Sequence, residues 1–261
     1  MQIVSIGVGD SLDFDRVATA LSAALSARGS VATVTERDGN LSVDGSMTTW
    51  RFKVNGDGGP TVDEIIDRLT NEGYDYTLLD WVLVGGEPHV AVGTNPIQGS
   101  VATLEPTDLD DSARLAGLGE ELDRLEPYET LISLVHQIQA HPDSPKAGAI
   151  ATFTGRVRAE NYEDTRTTHL EYEKYEDVAD AELEAIRQEL TDREGVYEVL
   201  LYHHTGTVPA EEDAVYVVVL AGHRREAFRA VEDGIDLLKD RVPIFKKEVT
   251  ESGEHWAHDR P

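Results

Sequence analysis

The chain has 261 residues, enough for two domains of ordinary size whose cores need no covalent staple. Cysteine is absent, which excludes disulfides, zinc-thiolate centres and a sulfur-carrying thiol, so any sulfur chemistry must bring its sulfur on another molecule. With 23 basic and 50 acidic residues the formal charge is -27, which argues against a nucleic-acid binder and against adhesion to anionic membrane. Acidic charge at this density, with arginine preferred to lysine, reads as adaptation to high salt, where short screening lengths blunt self-repulsion. A disordered acidic chain does not fit, because 40% of the residues are hydrophobic and their spacing is regular. The chain shows no signal peptide and no apolar run long enough to span a bilayer, so a soluble, cytoplasmic protein is expected.

Residues 2–9 form a short apolar strand ending in Gly7-Val8-Gly9, residues 13–29 an amphipathic helix closed by Gly29, and residues 30–37 a second strand. Strand, turn, helix, strand is a βαβ unit, which implies a parallel sheet with the turn at its ligand end. A nucleotide-binding P-loop would place glycine, lysine and a hydroxyl where Leu12, Asp13 and Phe14 stand, so the phosphate clamp is missing. Asp10, Asp13 and Asp15 would repel phosphate there. A helix and an apolar strand follow over 61–80, strands over 89–93 and 99–104, and a last helix over 109–125. This half weakly resembles molybdopterin-guanine dinucleotide biosynthesis protein B, with residues 75–82 in place of the strand that carries its second acidic motif. The resemblance implies a degenerate P-loop-like α/β domain over 1–124 with a regulatory or scaffolding role; the alternative is a generic α/β domain.

A soft boundary near 122–128 leads to a second domain, 125–261. Its pattern reads helix (128–140), strand (148–158), polar loop (159–168), strand (169–176), long helix (177–195), strands (196–206 and 214–222) and helix (225–241). Strands mixed with two packed helices suggest an α+β sandwich. Three of the six lysines lie in 236–249: Lys239, Lys246 and Lys247. Apolar helix-period residues run up to Lys239, Val242-Pro243-Ile244-Phe245 must leave the helix, and Lys246 follows on an extended segment. Two lysines are thereby held around one turn. Arg156 and Arg158 end a strand, and His223 and Arg224 open a helix, where free backbone N–H groups and the helix dipole favour an anion. Each cation alone reads as a surface ion pair; together, in so acidic a chain, they read as an anion pocket.

These three stretches, 148–158, 223–228 and 236–249, resemble the catalytic large subunit of molybdopterin synthase, in the family's order and over about half of the chain. The resemblance implies that family's α/β-hammerhead fold. It implies a sulfurtransferase of molybdenum cofactor biosynthesis, which converts precursor Z, a pterin with a cyclic phosphate, to molybdopterin. The sulfur would come from the C-terminal Gly-Gly thiocarboxylate of a small ubiquitin-like carrier, and no cofactor is called for. Lys239 and Lys246 would be catalytic. Substrate-binding positions would be Arg156, Val157, Arg158, His223, Arg224, Lys239, Lys246, Lys247 and Glu248. The family's assembly implies a homodimer inside a heterotetramer with two carriers. One departure stands out: His204 occupies the place where the family usually has arginine after its histidine. His203 and His204, on opposite faces of a strand, are not expected to chelate a metal. Two rivals remain open, a non-catalytic adaptor for a ubiquitin-like protein and an NTPase built on the N-terminal half; the cation set disfavours the first and the missing P-loop lysine the second.

Overall fold

A computed structural model describes residues 1–10, 12–37, 40–53, 60–85, 88–93, 100–160 and 166–256. The chain divides into two compact units, Met1–Ser133 and Leu134–Pro261.

In the first unit the central strand is β1 (Gln2–Val8). It pairs in parallel with β5 (Tyr76–Asp80) on one side and β6 (Val90–Val92) on the other. β2 (Val31–Arg37) extends the sheet in parallel beyond β5, and β7 (Ala102–Leu104) beyond β6. Both faces of this parallel part are covered, which is why its strands read as continuous apolar runs. Val4 and Ile6 pack towards α1 (Phe14–Leu25) and α4 (Ser112–Leu122). On the opposite face Leu79 packs with Ile65, Ile66 and Leu69 of α2 (Val62–Asn71). A capping box starts α2: the Thr61 hydroxyl accepts from the Glu64 N–H, and the Glu64 carboxylate accepts from the Thr61 N–H. A four-residue helix, α3 (Trp81–Val84), follows β5.

The sheet expected to be parallel is in fact mixed. β3 (Asn40–Gly45) and β4 (Thr49–Lys53) continue it from β2 as antiparallel neighbours, giving the order β4-β3-β2-β5-β1-β6-β7. Polar residues interrupt Leu41, Val43 and Trp50, and such half-buried strands towards the sheet edge carry a weaker pattern than the buried centre. The turn after β1 is occupied by the protein's own side chains. Leu12, partly buried, packs against the core, and the Asp13 carboxylate caps α1 by accepting from the Asp15 N–H at 3.1 Å.

The helix α5 (Leu131–Gln139) spans the division between the units. In the second unit a three-stranded sheet has the order β10-β12-β8, from β8 (Ala149–Arg156), β10 (Val196–His203) and β12 (Asp213–Ala221), all antiparallel. Its face formed by Ala151, Val199, Val215, Val217, Val219 and Ala221 packs with α6 (Glu176–Thr191) and α7 (Arg224–Arg241). A second sheet, order β11-β9-β13-β14, joins β9 (Thr167–Lys174), β11 (Gly206–Pro209), β13 (Ile244–Thr250) and β14 (Gly253–Trp256). The expected α+β content is present. Between the expected strands 196–206 and 214–222 the structure forms a further short strand, β11, entered at Gly206 with φ +75°, a backbone region open to glycine. Residues 161–165 and His258 lie outside the described residues.

Candidate functional site

The register of β8 and β12 fixes where the predicted cations stand. Arg156 is opposite Asp213 at one end of the strand pair, and Ala149 is opposite Ala221 at the other. His223 and Arg224 follow Ala221, so about 25 Å of extended chain separates them from Arg156 along the sheet. Within one chain, Arg156 and Arg158 do not share a pocket with His223 and Arg224.

α7 carries the chain back. Its eighteen residues rise about 27 Å, the length of β12, and midway Gly234 lies against Val217. A Cβ on Gly234 would stand 3.1 Å from the Val217 side chain, a tight contact that would push that side chain by a few tenths of an ångström. Lys239, on the last turn of α7, therefore returns to the Arg156 end. Val242 closes the helix, and three residues into the second sheet β13 presents Lys246.

Lys246 is the cross-strand partner of Tyr172 and Lys247 of Glu171. Successive strand residues face opposite sides, so the two adjacent lysines separate. Lys247 contacts Glu171 at 3.2 Å and Glu254 at 2.7 Å, and these carboxylates hold its pKa above the ordinary lysine value. Lys246 shares its face with Tyr172, whose ring meets His203 edge-on at 4.6 Å. Glu248 lies on the Lys246 face and accepts a hydrogen bond from the Thr167 hydroxyl.

His203 is buried at the end of β10 and donates from Nδ1 to the His204 carbonyl at 2.7 Å. Burial is the main cause that lowers its pKa to about 4, with the charges of Lys174 and Lys246 adding to it. It is neutral at physiological pH, and the Nδ1–H tautomer leaves the Nε2 lone pair as an acceptor. His204 stands between Tyr202 and Tyr216, ring centroids 4.9 and 5.7 Å away.

The other predicted positions divide. Arg156 is exposed and ion-paired with Asp213 at 3.0 Å. Val157 is buried with Tyr172, Val208 and Ala214; its N–H donates to Glu212 and its carbonyl accepts from Glu211, so it anchors the turn and leaves no group for a ligand. Arg158 is exposed and lies past the end of β8, not at the end of the strand as expected. His223 is the N-terminal cap residue of α7 without a side-chain capping bond, and Arg224 is exposed beside it. Tyr172, Lys174 and His203 were not expected from the sequence: strand register links the first two to Lys246, and a ring contact with Tyr172 brings His203 there, neither of which a single stretch displays. Among the described residues no group of His, Asp and Glu is arranged to hold a metal ion.

The model of the MoaE protein family matches residues 128–241, a span that holds Lys239, His223 and the Arg156–Arg158 turn. A probable molybdopterin synthase of Haloferax volcanii is 51% identical over 200 residues, covering 76% of this chain and 75% of that protein. The chain belongs to the MoaE family of molybdopterin synthases. A match of that length exceeds the C-terminal unit, so the likeness to the Haloferax protein reaches into the N-terminal one. Molybdopterin synthase catalytic subunits from Pyrococcus abyssi and Staphylococcus carnosus are 42% and 38% identical, over 43% and 48% of this chain and 76% and 85% of theirs. The crystal structure of molybdopterin synthase from Staphylococcus aureus aligns at TM-score 0.45 with 32% identity, over 51% of this chain and 93% of that one. Membership makes the chain an enzyme of molybdenum cofactor biosynthesis, and the acidic composition accords with a relative from a halophile.

Proposed function

We propose that the C-terminal unit moves sulfur from the thiocarboxylate of a small ubiquitin-like carrier, ending in Gly-Gly, onto precursor Z, and that Lys239 and Lys246 carry the chemistry. The observation that supports this most is the return of α7, which brings Lys239 to the end of the sheet where Lys246 faces Tyr172 and His203. Lys239 is exposed and has no ion pair among the described residues, so its charge is available to a ligand. An ammonium there polarises the thiocarboxylate carbonyl or moves a proton as sulfur attacks the pterin side chain. Lys246 holds an anionic group of the substrate, with Glu248 on the same strand face, and Arg158 is a further proposed substrate contact. No cysteine takes part, in keeping with the composition. A non-catalytic adaptor would need no such set of cations.

The separation of His223 and Arg224 from the lysines bears on assembly. Helix-entry groups suited to an anion, standing about 25 Å from the lysines, fit a site completed across a homodimer, each chain lending its α7 entrance to the lysines of the other. Two carriers then make a heterotetramer. The test mixes two chains, Lys246→Ala and Arg224→Ala, each inactive alone. Exchange into hybrid dimers restores about a quarter of wild-type transfer if sites are shared, because one of the two sites in each hybrid is intact. No recovery after verified exchange shows that each chain holds its own complete site.

For the N-terminal unit, the five parallel strands stand in the order second, third, first, fourth, fifth along the chain, with a βαβ turn after the central strand. That supports a P-loop-like ancestry, over about residues 1–124, of the kind seen in molybdopterin-guanine dinucleotide biosynthesis protein B. Leu12 and Asp13 fill the turn, so the reading is a scaffold that no longer binds nucleotide. No helix among the described residues is long and apolar enough to cross a membrane.

A further inference from the structure

One cation on the lysine face has no role so far. Lys174 ends β9 opposite Ile244, and two residues away Tyr172 is opposite Lys246. Cross-strand partners share a face, as do residues two apart, so Lys174 and Lys246 are diagonal neighbours on the face that meets His203. Both ammonium charges act on the His203 ring. The Lys174 side chain is only 5% exposed, against 21% for Lys247 and 69% for Lys146. Asp180 contacts it at 3.0 Å but is itself 62% exposed, so that carboxylate stays largely in water. Two of six lysines, set side by side with one withdrawn from solvent, repel each other and lose hydration. From one strand face the two ammonium groups can donate to the same anion.

We propose that Lys174 is a further substrate-binding residue: with Lys246 it forms a two-ammonium seat for a compact anion, walled by Tyr172 and His203. The anion is the cyclic phosphate of the pterin or the C-terminal group of the carrier, and separate titration of the two substrates tells which. This rests on the reading that Lys246 meets substrate. A charge so withdrawn is screened little by salt, so the seat works in the molar salt that the composition implies.

The experiment uses the full chain with thiocarboxylated carrier and precursor Z in molar salt, and compares Lys174→Met, Lys174→Arg, Asp180→Asn and Lys246→Ala. Lys174→Met raises KM for one substrate by about tenfold with kcat within about threefold of wild type, and Lys174→Arg recovers most of the loss. Asp180→Asn separates a binding role from a structural ion pair. Breaking the pair while keeping the ammonium lowers KM by about twofold or more if Lys174 binds substrate. Unchanged KM for both substrates in folded Lys174→Met overturns the proposal. If that variant does not fold, unchanged or raised KM in Asp180→Asn overturns it instead. An impaired Lys246→Ala beside an unaffected Lys174→Met removes only Lys174, whereas wild-type kinetics in Lys246→Ala sink the underlying site.

Discussion

The ring of His203, at the end of one sheet, meets the ring of Tyr172, in the middle of the other, edge-on at 4.6 Å. This contact joins β10 to the strand pair that carries Lys246, and it buries a histidine between cations. A pKa lowered to about 4 means that the native protein keeps His203 neutral where the unfolded chain, near 6.5, takes up a proton. Its stability is therefore whole above pH 6.5 and is lost as pH falls towards 4. The loss is on the order of 3 kcal/mol. Denaturant unfolding of wild type and His203→Phe at fixed salt, pH 7 to 4, should show the two curves converging by that amount as pH falls. Curves that stay parallel would show that His203 titrates normally.

Lys239→Ala is expected to leave carrier docking nearly intact and to abolish sulfur transfer. Loss of a charge placed at the reacting group costs on the order of 3 kcal/mol, roughly a hundredfold or more in rate. Lys246→Ala should impair substrate binding and turnover together. Single-turnover rates and carrier affinity separate the two, and wild-type transfer by Lys239→Ala would reduce that lysine to a helix cap.

Lys247 tests the division between faces. Its ammonium is committed to Glu171 and Glu254 on the side away from Tyr172. Lys247→Ala should change transfer by less than about threefold and stability little, because solvent screens such pairs. A transfer defect as large as that of Lys246→Ala would place both lysines in one site.

The N-terminal unit is expected not to bind ATP or GTP. Asp13 caps α1 where a P-loop offers N–H groups to phosphate, and Leu12 packs against the core. Calorimetric titration of the full chain should show no saturable heat at micromolar nucleotide, and a clear binding isotherm would refute the degenerate turn.

Withdrawal of salt should destabilise the fold. At a net charge of -27 the screening length, about 3 Å in molar salt, grows to about 30 Å at 0.01 M, and the acidic surface repels itself. The melting temperature should fall steadily from molar to millimolar KCl. An unchanged value would argue against halophilic adaptation.

The sequence by itself determined the order of the buried strands and long helices, the absence of thiol chemistry and the lysines around the Val242-Pro243 turn, because these follow from local periodicity and composition. Buried parallel strands such as β1 and β5 were legible as apolar runs; the antiparallel strands β3 and β4 were not, since half-exposed strands mix polar and apolar residues. Only the tertiary structure decided which cations meet. It set Lys246 and Lys247 on opposite faces, sent His223 and Arg224 to the far end of β12, and brought Lys174 and His203 beside Lys246. Strand register and the return path of α7 fix those distances. Both depend on pairing between segments tens of residues apart, and a register slip of one residue would reverse every face without altering a local motif.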